Sequence, residues 1–139
     1  MKTNLPITQT EARIPKGRYI VSRTDLKGIT TYVNDTFIAV SGFSREELIG
    51  KNHNLVRHPD MPRSVFKLLW DAIAGGQEFI GYLKNLSKDG GFYWVVANVS
   101  PVRENGQIIG YQSVRSRPSR DEIAAAEAAY RKIREGDKS

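Results

Sequence analysis

The chain of 139 residues contains no cysteine. This absence excludes disulfide bonds, thiolate metal sites and cysteine nucleophiles, and it is compatible with a reducing compartment. The chain also lacks any apolar run near the roughly 18 residues of a membrane-spanning helix, and its N-terminus has no apolar core of signal-peptide length. We therefore expect no signal peptide and no direct insertion of this segment into a membrane.

Motifs of enzyme chemistry are absent too. The sequence shows no nucleophile paired with a base, no cluster of metal ligands and no glycine-rich loop of the phosphate-cradling kind. These absences favour a binding module over an enzyme, with neither catalytic nor metal-binding residues.

The composition is that of one globular domain with one core, since 40% of the residues are hydrophobic and 26% are charged. The net charge of +6 has three interpretations. It could reflect a solvated surface or a nucleic-acid surface, but the basic residues are dispersed without a nucleic-acid-binding motif, so we expect no nucleic-acid partner. The third interpretation is local: Lys51, Arg57 and Arg63 outnumber Asp60, which would suit a ligand that carries phosphate.

One stretch stands apart, His53–Pro62, which reads HNLVRHPDMP. It holds both histidines and two of the six prolines, and its polar residues follow neither a helical nor a strand period. A short connector of this composition would be suited to wall off a polar ligand.

Five segments predict β-strands: residues 19–24, 29–33, 79–86, 92–102 and 108–116. They are rich in β-branched and aromatic residues, and turn residues that include Asp-Gly and Asn-Gly lie between the strands of each hairpin. The first two form one hairpin, and the last three are joined by two more.

Capping residues predict two short helices between the hairpins. Asn34 begins one that Gly42 ends, and the capping box of Ser44 and Glu47 begins another that ends at Gly50. A longer helix follows, because apolar residues recur at i, i+3 and i+4. Its apolar residues are Val65, Phe66, Leu69, Trp70 and Ile73.

The ends of the longer helix are also marked in the sequence. Asp60 or Ser64 could cap its start, with Pro62 in the first turn, where a missing N–H costs nothing. Gly75 and Gly76 end it.

A second capping box, Ser119 to Glu122, opens a last helix that is rich in alanine. Because alanine buries little area, this exit helix needs a partner: the domain itself, another subunit or a downstream continuation. We divide the chain into an N-terminal cap or flexible segment (1–18), a central domain (19–118) and a C-terminal helix or linker (119–139). The expected fold is α+β, a five-stranded antiparallel sheet with short helices on one face and a pocket between the two layers.

The order of elements over residues 19–118 resembles a PAS domain. The landmarks are Asn34-Asp35-Thr36-Phe37, Ser41-Gly42-Phe43-Ser44, Glu47-Leu48-Ile49-Gly50-Lys51 and Lys88-Asp89-Gly90. More specifically, residues 53–62 look like the signature of the aerotaxis-receptor (Aer) class, and Phe66, Trp70, Tyr93-Trp94 and Asp121-Glu122-Ile123-Ala124-Ala125 strengthen the match.

The resemblance implies a redox sensor for aerotaxis. It implies non-covalent FAD, with FMN a weaker alternative, and a cytoplasmic domain that signals to a chemoreceptor anchored in the inner membrane. Two alternatives stay open: a haem-binding PAS gas sensor, with His53 or His58 as axial ligand, and a ligand-free interaction module. A homodimer through the exit helix or the N-terminal cap is compatible with each.

LOV domains, which are PAS photosensors that bind FMN, give a second resemblance. Their photoactive cysteine falls on His53, so adduct photochemistry is excluded in a chain without cysteine. Two of their ring-binding amides match Asn85 and Gln112, whereas a third falls on Val95.

Nine residues are predicted to bind the cofactor: Asn34, His53, Arg57, His58, Asp60, Phe66, Trp70, Asn85 and Gln112. Asn85 and Gln112 would bind the flavin ring, although each could instead be an ordinary strand residue. His53 would lie beside the ring and, with an ordinary pKa of about 6.5, respond to its charge.

The other predicted roles also have structural alternatives. Arg57 would bind pyrophosphate bidentately, Asp60 would brace the loop or cap the next helix, and His58 would bind ribose or phosphate or lock the loop. Phe66 and Trp70 could be core residues or could line the ring. Asn34 is a helix cap first and a pocket residue only by the resemblance. Trp94 is placed on the outer face of the sheet, because strand alternation sets it opposite Val95, Ala97 and Val99.

Overall fold

The computed structural model of the protein describes residues 6–137. Its elements are β1 (Ile20–Asp25), β2 (Thr30–Val33), α1 (Asp35–Ser41), α2 (Arg45–Leu48), a 3₁₀ helix (His53–Val56), α3 (Arg63–Ala74), β3 (Phe79–Leu86), β4 (Phe92–Glu104), β5 (Gln107–Ser116) and α4 (Arg120–Asp137). The strands form one antiparallel sheet in the order β2-β1-β5-β4-β3. The predicted α+β fold is confirmed.

Local capping chemistry sets the short helices, as predicted. The Asn34 side chain accepts a hydrogen bond from the Phe37 amide at the start of α1, which ends at Gly42 with φ 79°. Ser44 and Glu47 form the predicted reciprocal capping box. These two helices therefore begin where amide groups without helical partners find side-chain acceptors.

The predicted start of α3 is wrong. This helix begins at Arg63, directly after Pro62, and no side chain caps it. Asp60 cannot serve as the cap, because its carboxylate is bonded to Lys84, with 2.8 Å between Oδ2 and Nζ. Ser64 is already the second residue of the helix.

The core lies between the inner face of the sheet and the short helices. Helix α3 contributes Val65, Leu69 and Ile73, as its apolar stripe predicts. Strand β4 contributes Tyr93, Val95, Ala97 and Val99 from its inner face, all of them buried.

Helix α4 finds its partner in the domain itself. Ile123 and Ala126 are buried against Trp94 on the outer face of the sheet, and Tyr130 stacks on the Trp94 ring with 6.1 Å between centroids. The predicted outward placement of Trp94 is therefore confirmed. Among the helices within residues 6–137, none combines the length and apolar character needed to cross a bilayer.

The N-terminal segment is docked on the domain over much of its described length. The Ala12 amide donates to the Phe92 carbonyl at 2.8 Å, the Phe92 amide donates to the Thr10 carbonyl at 2.9 Å, and Ile14 has 0% exposure in the main core. Residues 1–5, the first part of the predicted cap, lie outside the described residues.

We predict that Ile14→Ala lowers the free energy of unfolding by about 2–5 kcal/mol, since it removes a fully buried side chain from a packed core. Ile7→Ala is the matched control, because Ile7 is 48% exposed, and we expect a change of about 0.5 kcal/mol or less. Urea titrations followed by tryptophan fluorescence give both values. Equal effects of the two substitutions would contradict the docking of this segment.

Candidate ligand-binding cavity

A cavity of about 670 Å³ lies between the sheet and the helical layer. This volume is within the usual range of small-molecule sites, roughly 300–1,000 Å³. Strands β1 and β5 and the inner face of β3 form one wall, and the 3₁₀ helix and α3 form the other.

The side chains around the cavity carry positive charge only. Among the residues that the structure describes, the lining contains no carboxylate and five cationic side chains, those of Lys27, Arg57, Arg63, Lys67 and Arg115. One of them, Lys67, is neutralised by Asp71 on the same helix at 2.8 Å. The other four leave a surplus of positive charge, which favours an anionic ligand.

An aromatic wall, formed by Phe66 and Trp70 of α3, borders the cavity at its helical side. The Arg57 guanidinium lies 4.2 Å from the centroid of the Phe66 ring, and the Trp70 ring meets Tyr111 edge-on with centroids 5.8 Å apart. Gly28 makes room for this arrangement, since its φ is +84° and a Cβ there would lie 3.0 Å from the Trp70 ring. The structure thus places Arg57, Phe66 and Trp70 at the cavity, and their contact with a ligand stays a prediction.

His53 lines the cavity but is not ready to take up a proton. Burial, with the nearby charge of Arg115, lowers its pKa to about 3, so the expectation of an ordinary pKa is wrong. His53 Nε2 lies 2.9 Å from the Ser22 hydroxyl, which itself accepts a hydrogen bond from Arg115. The Ser22 hydroxyl can therefore donate its proton to a neutral His53 while its oxygen accepts from Arg115.

The two predicted ring-binding amides lie on opposite faces of the sheet. Asn85, on β3, is 3% exposed and lines the cavity, and its Nδ2 is buried without a hydrogen-bond partner. Gln112, on β5, borders the cavity by its position in the strand, but its Oε1 accepts a hydrogen bond from Arg23 at 2.8 Å on the outer face. Ser113 and Arg115 take the inner positions of β5, so the prediction that the Gln112 side chain points inward is corrected by strand alternation.

Three other predicted residues lie outside the cavity lining. Asn34 is used by the backbone, because its amide bonds Val21, Phe37 and Tyr19. In this structure Asn34 is therefore a structural residue and not a pocket residue.

His58 and Asp60 brace the loop, which is one of the roles predicted for each, and their contact with a ligand stays a prediction. His58 is 2% exposed, and its Nδ1 accepts a hydrogen bond from the Asp60 amide at 3.0 Å. The Asp60 carboxylate binds Lys84, and its carbonyl accepts from Arg134 of α4. Burial disfavours the Asp60 charge most, but the Lys84 hydrogen bond and the charges of Lys84, His58 and Arg134 together lower its pKa.

These braces join residues 57–61, the wall loop, to the free edge of β3. Arg57 forms a β-bridge with Asn85, the His58 amide donates to the Lys84 carbonyl at 3.4 Å, and the Lys84 amide donates to Met61 Sδ at 3.2 Å. The wall loop therefore covers an edge that would otherwise have unpaired backbone groups.

Sequence reasoning missed Arg115 and Ser22. Arg115 is 1% exposed and Ser22 is 1% exposed, and Arg115 Nη2 donates to Ser22 Oγ at 2.7 Å. The available signal was the period of two on β5, which places Arg115 on the same face as Tyr111.

Comparison with known proteins agrees with the fold. The family model described as "PAS fold" matches residues 30–115. This chain belongs to the PAS family. The chain is 40% identical over 98% of its length to the aerotaxis receptor of Escherichia coli strain K12, and it spans 27% of that receptor.

Two further matches are a phototropin and a blue-light photoreceptor. Phototropin-2 of Oryza sativa subsp. japonica is 32% identical over 58% of the PAS domain, which covers 9% of that protein. The light-state structure of the blue-light photoreceptor Aureochrome1 LOV superposes with a TM-score of 0.70 at 27% identity, covering 82% of the PAS domain and 91% of that structure.

We predict that Asp60→Asn destabilises the domain by roughly 1–2 kcal/mol, because it leaves the ammonium of Lys84, whose side chain is 7% exposed, without its counter-charge. The value is below that of a fully buried pair, since the Asp60 side chain is 49% exposed. The control is Asp71→Asn, which breaks the exposed Lys67–Asp71 pair, and we expect no measurable change.

The Asp60 contribution should also depend on pH with a defined sign. Because folding lowers its pKa, the stabilisation is present above the ordinary aspartate pKa of about 4 and is lost as pH falls through the lower, folded value. In urea titrations between pH 7 and pH 3, the difference in unfolding free energy between wild type and Asp60→Asn should become smaller below about pH 4. A difference that stays constant across this range would contradict the assignment.

Proposed function

We propose that this PAS domain binds FAD non-covalently and senses redox state for a chemotaxis output. The observation that carries the proposal is the buried Asn85 amide, which lines a cationic cavity and whose Nδ2 makes no full hydrogen bond with any of residues 6–137. Because buried polar groups are almost always hydrogen-bonded, this amide indicates a ligand with an acceptor at that depth.

The chain's residues fit the parts of a flavin. Asn85 would bind an acceptor on the pyrimidine edge of the ring, and Phe66 and Trp70 would lie along the ring system. Arg57 and Arg63 would bind the phosphates, and a guanidinium suits this role because it can donate two parallel hydrogen bonds to one phosphate.

A bound flavin would supply reversible electron transfer. The protein would hold the ring, keep His53 neutral beside it, and respond to the change of charge through Ser22, His53 and Asn85. The absence of residues arranged for substrate chemistry in the sequence is the basis for proposing a sensor and not an enzyme.

Signal output would use the elements attached to the cavity wall. The wall loop is bonded to α4 through the Arg134 hydrogen bond to the Asp60 carbonyl, so a shift of the loop would move the exit helix. The similarity to an aerotaxis receptor supports a chemoreceptor as the downstream partner, a cytoplasmic position in an inner-membrane receptor, and a homodimer as the working form.

The purified domain should be yellow, with absorption maxima of an oxidised flavin, and heat should release the cofactor intact. Chromatography of the released material against FAD and FMN standards identifies it, and we expect FAD. A Soret band instead would indicate haem, and a colourless protein that rejects added FAD would indicate a ligand-free interaction module.

We predict that Asn85→Ala weakens flavin binding by about 5–30-fold, equivalent to the roughly 1–2 kcal/mol of one buried hydrogen bond. The control is Asn98→Ala, since Asn98 lies on β4 outside the cavity lining and should leave affinity unchanged. Quenching of flavin fluorescence during titration into cofactor-free protein measures both. Unchanged affinity and redox potential in Asn85→Ala would contradict the assigned contact.

A further inference from the structure

Arg115 is a buried cation without an anionic partner in the part of the chain that the structure describes. Its guanidinium lies 4.5 Å from the centroid of the Phe37 ring and donates from Nη2 to Ser22, while Nε is buried without a hydrogen-bond partner. Within residues 6–137, no carboxylate lies within salt-bridge distance of it. Burial lowers its pKa to about 10, which leaves it charged at neutral pH.

This arrangement is costly unless a counter-charge arrives from outside the chain. Buried charges in proteins are normally paired or bound to ions, because desolvation strongly disfavours an isolated one. A hydroxyl and an aromatic face compensate only part of that cost. Arg115 also lines the cavity, so a cavity ligand can reach it.

Two further donors near Arg115 are also unsatisfied. The Tyr93 hydroxyl and the Asn85 Nδ2 are both buried without a hydrogen-bond partner, and their residues are paired across β3 and β4. Burial raises the pKa of Tyr93 to about 12, with the charge of Arg115 and the neighbouring Asn85 amide opposing the rise, so the phenol keeps its proton. The contact between Asn85 and Tyr93 falls short of a full hydrogen bond. Among the described residues, this part of the fold therefore contains a cation and neutral groups whose hydrogen-bonding capacity is not fully used, but no anion.

We propose that Arg115 is the buried counter-charge for a ligand edge that is anionic or becomes so, and that in the flavin-loaded domain it stabilises the negative charge that one-electron reduction adds to the ring. This inference rests on the proposed function for its redox part. The part concerning an uncompensated cation stands on the protein alone.

The first test uses the cofactor-free domain and needs no flavin. Replacing an uncompensated buried cation with an apolar side chain of similar length removes a desolvation cost. We therefore expect Arg115→Met to unfold at the same or a higher urea concentration than wild type. Arg23→Met, which removes an exposed arginine from the neighbouring strand, is the control for the loss of one positive charge. A clearly lower urea midpoint for Arg115→Met would overturn the proposal, because it would show that Arg115 stabilises the fold.

The second test measures the redox potential of the loaded domain by spectroelectrochemistry. Arg115→Met and Arg115→Gln should each lower the one-electron potential by at least ~59 mV, a tenfold loss of preference for the reduced form. Arg115→Lys should retain most of the wild-type potential because it retains the charge, and Arg23→Met should leave the potential unchanged. Equal potentials in wild type and the two neutral variants would overturn the redox role.

Failure of the proposed function can be separated from failure of this inference. If the wild-type domain takes up no flavin, the proposed function fails, and the urea comparison alone decides whether Arg115 is an uncompensated cation. If the domain binds flavin but Arg115→Met is destabilised without flavin, the proposed function stands and the inference about Arg115 fails.

Discussion

The cavity depends on the attachment of the wall loop to the edge of β3. Asn85 faces the cavity from this strand, and the preceding residue, Lys84, binds Asp60 of the wall loop. One edge strand thus holds both a candidate ligand contact and the anchor of the opposite wall. Because the bonds on this edge include backbone bridges as well as an ion pair, the position of Arg57 relative to Asn85 is set by the fold before any ligand binds.

Charge is distributed around the cavity according to depth. Arg63 and Lys27 are exposed, where solvent screens their charges. Arg115 is buried in the wall of the cavity that the sheet forms. An exposed cation attracts an anionic ligand from solution and costs little, but a buried cation interacts strongly with whatever charge comes to lie beside it. The exposed cations can therefore attract an anionic ligand to the mouth of the cavity, while the buried cation can distinguish between charge states of the bound ligand.

The sequence was sufficient for features that depend on neighbours along the chain. The caps at Asn34 and Ser44 and the outward face of Trp94 follow from local hydrogen bonding and from strand alternation. The errors concern partners that are distant in sequence. Asp60 does not cap α3, because its carboxylate binds Lys84. The residues of β5 that point inward are set by the register of β5 with β4, and this register has an irregularity near Val102. Arg115 was not predicted as a site residue because the hydropathy of arginine favours an exposed position. Strand alternation indicates the face on which it lies, whereas its exposure of 1% follows from three-dimensional packing.

The uncompensated charge of Arg115 has a consequence for the stability of the domain in the cell. The buried charge of Arg115 destabilises the ligand-free domain, and an anionic ligand would relieve this destabilisation when it binds. A ligand that binds only the folded state also stabilises that state by mass action. Cellular proteases remove the less stable, opened forms of a protein first. The amount of this PAS domain that survives in the cell would therefore follow the supply of whatever ligand fills its cavity.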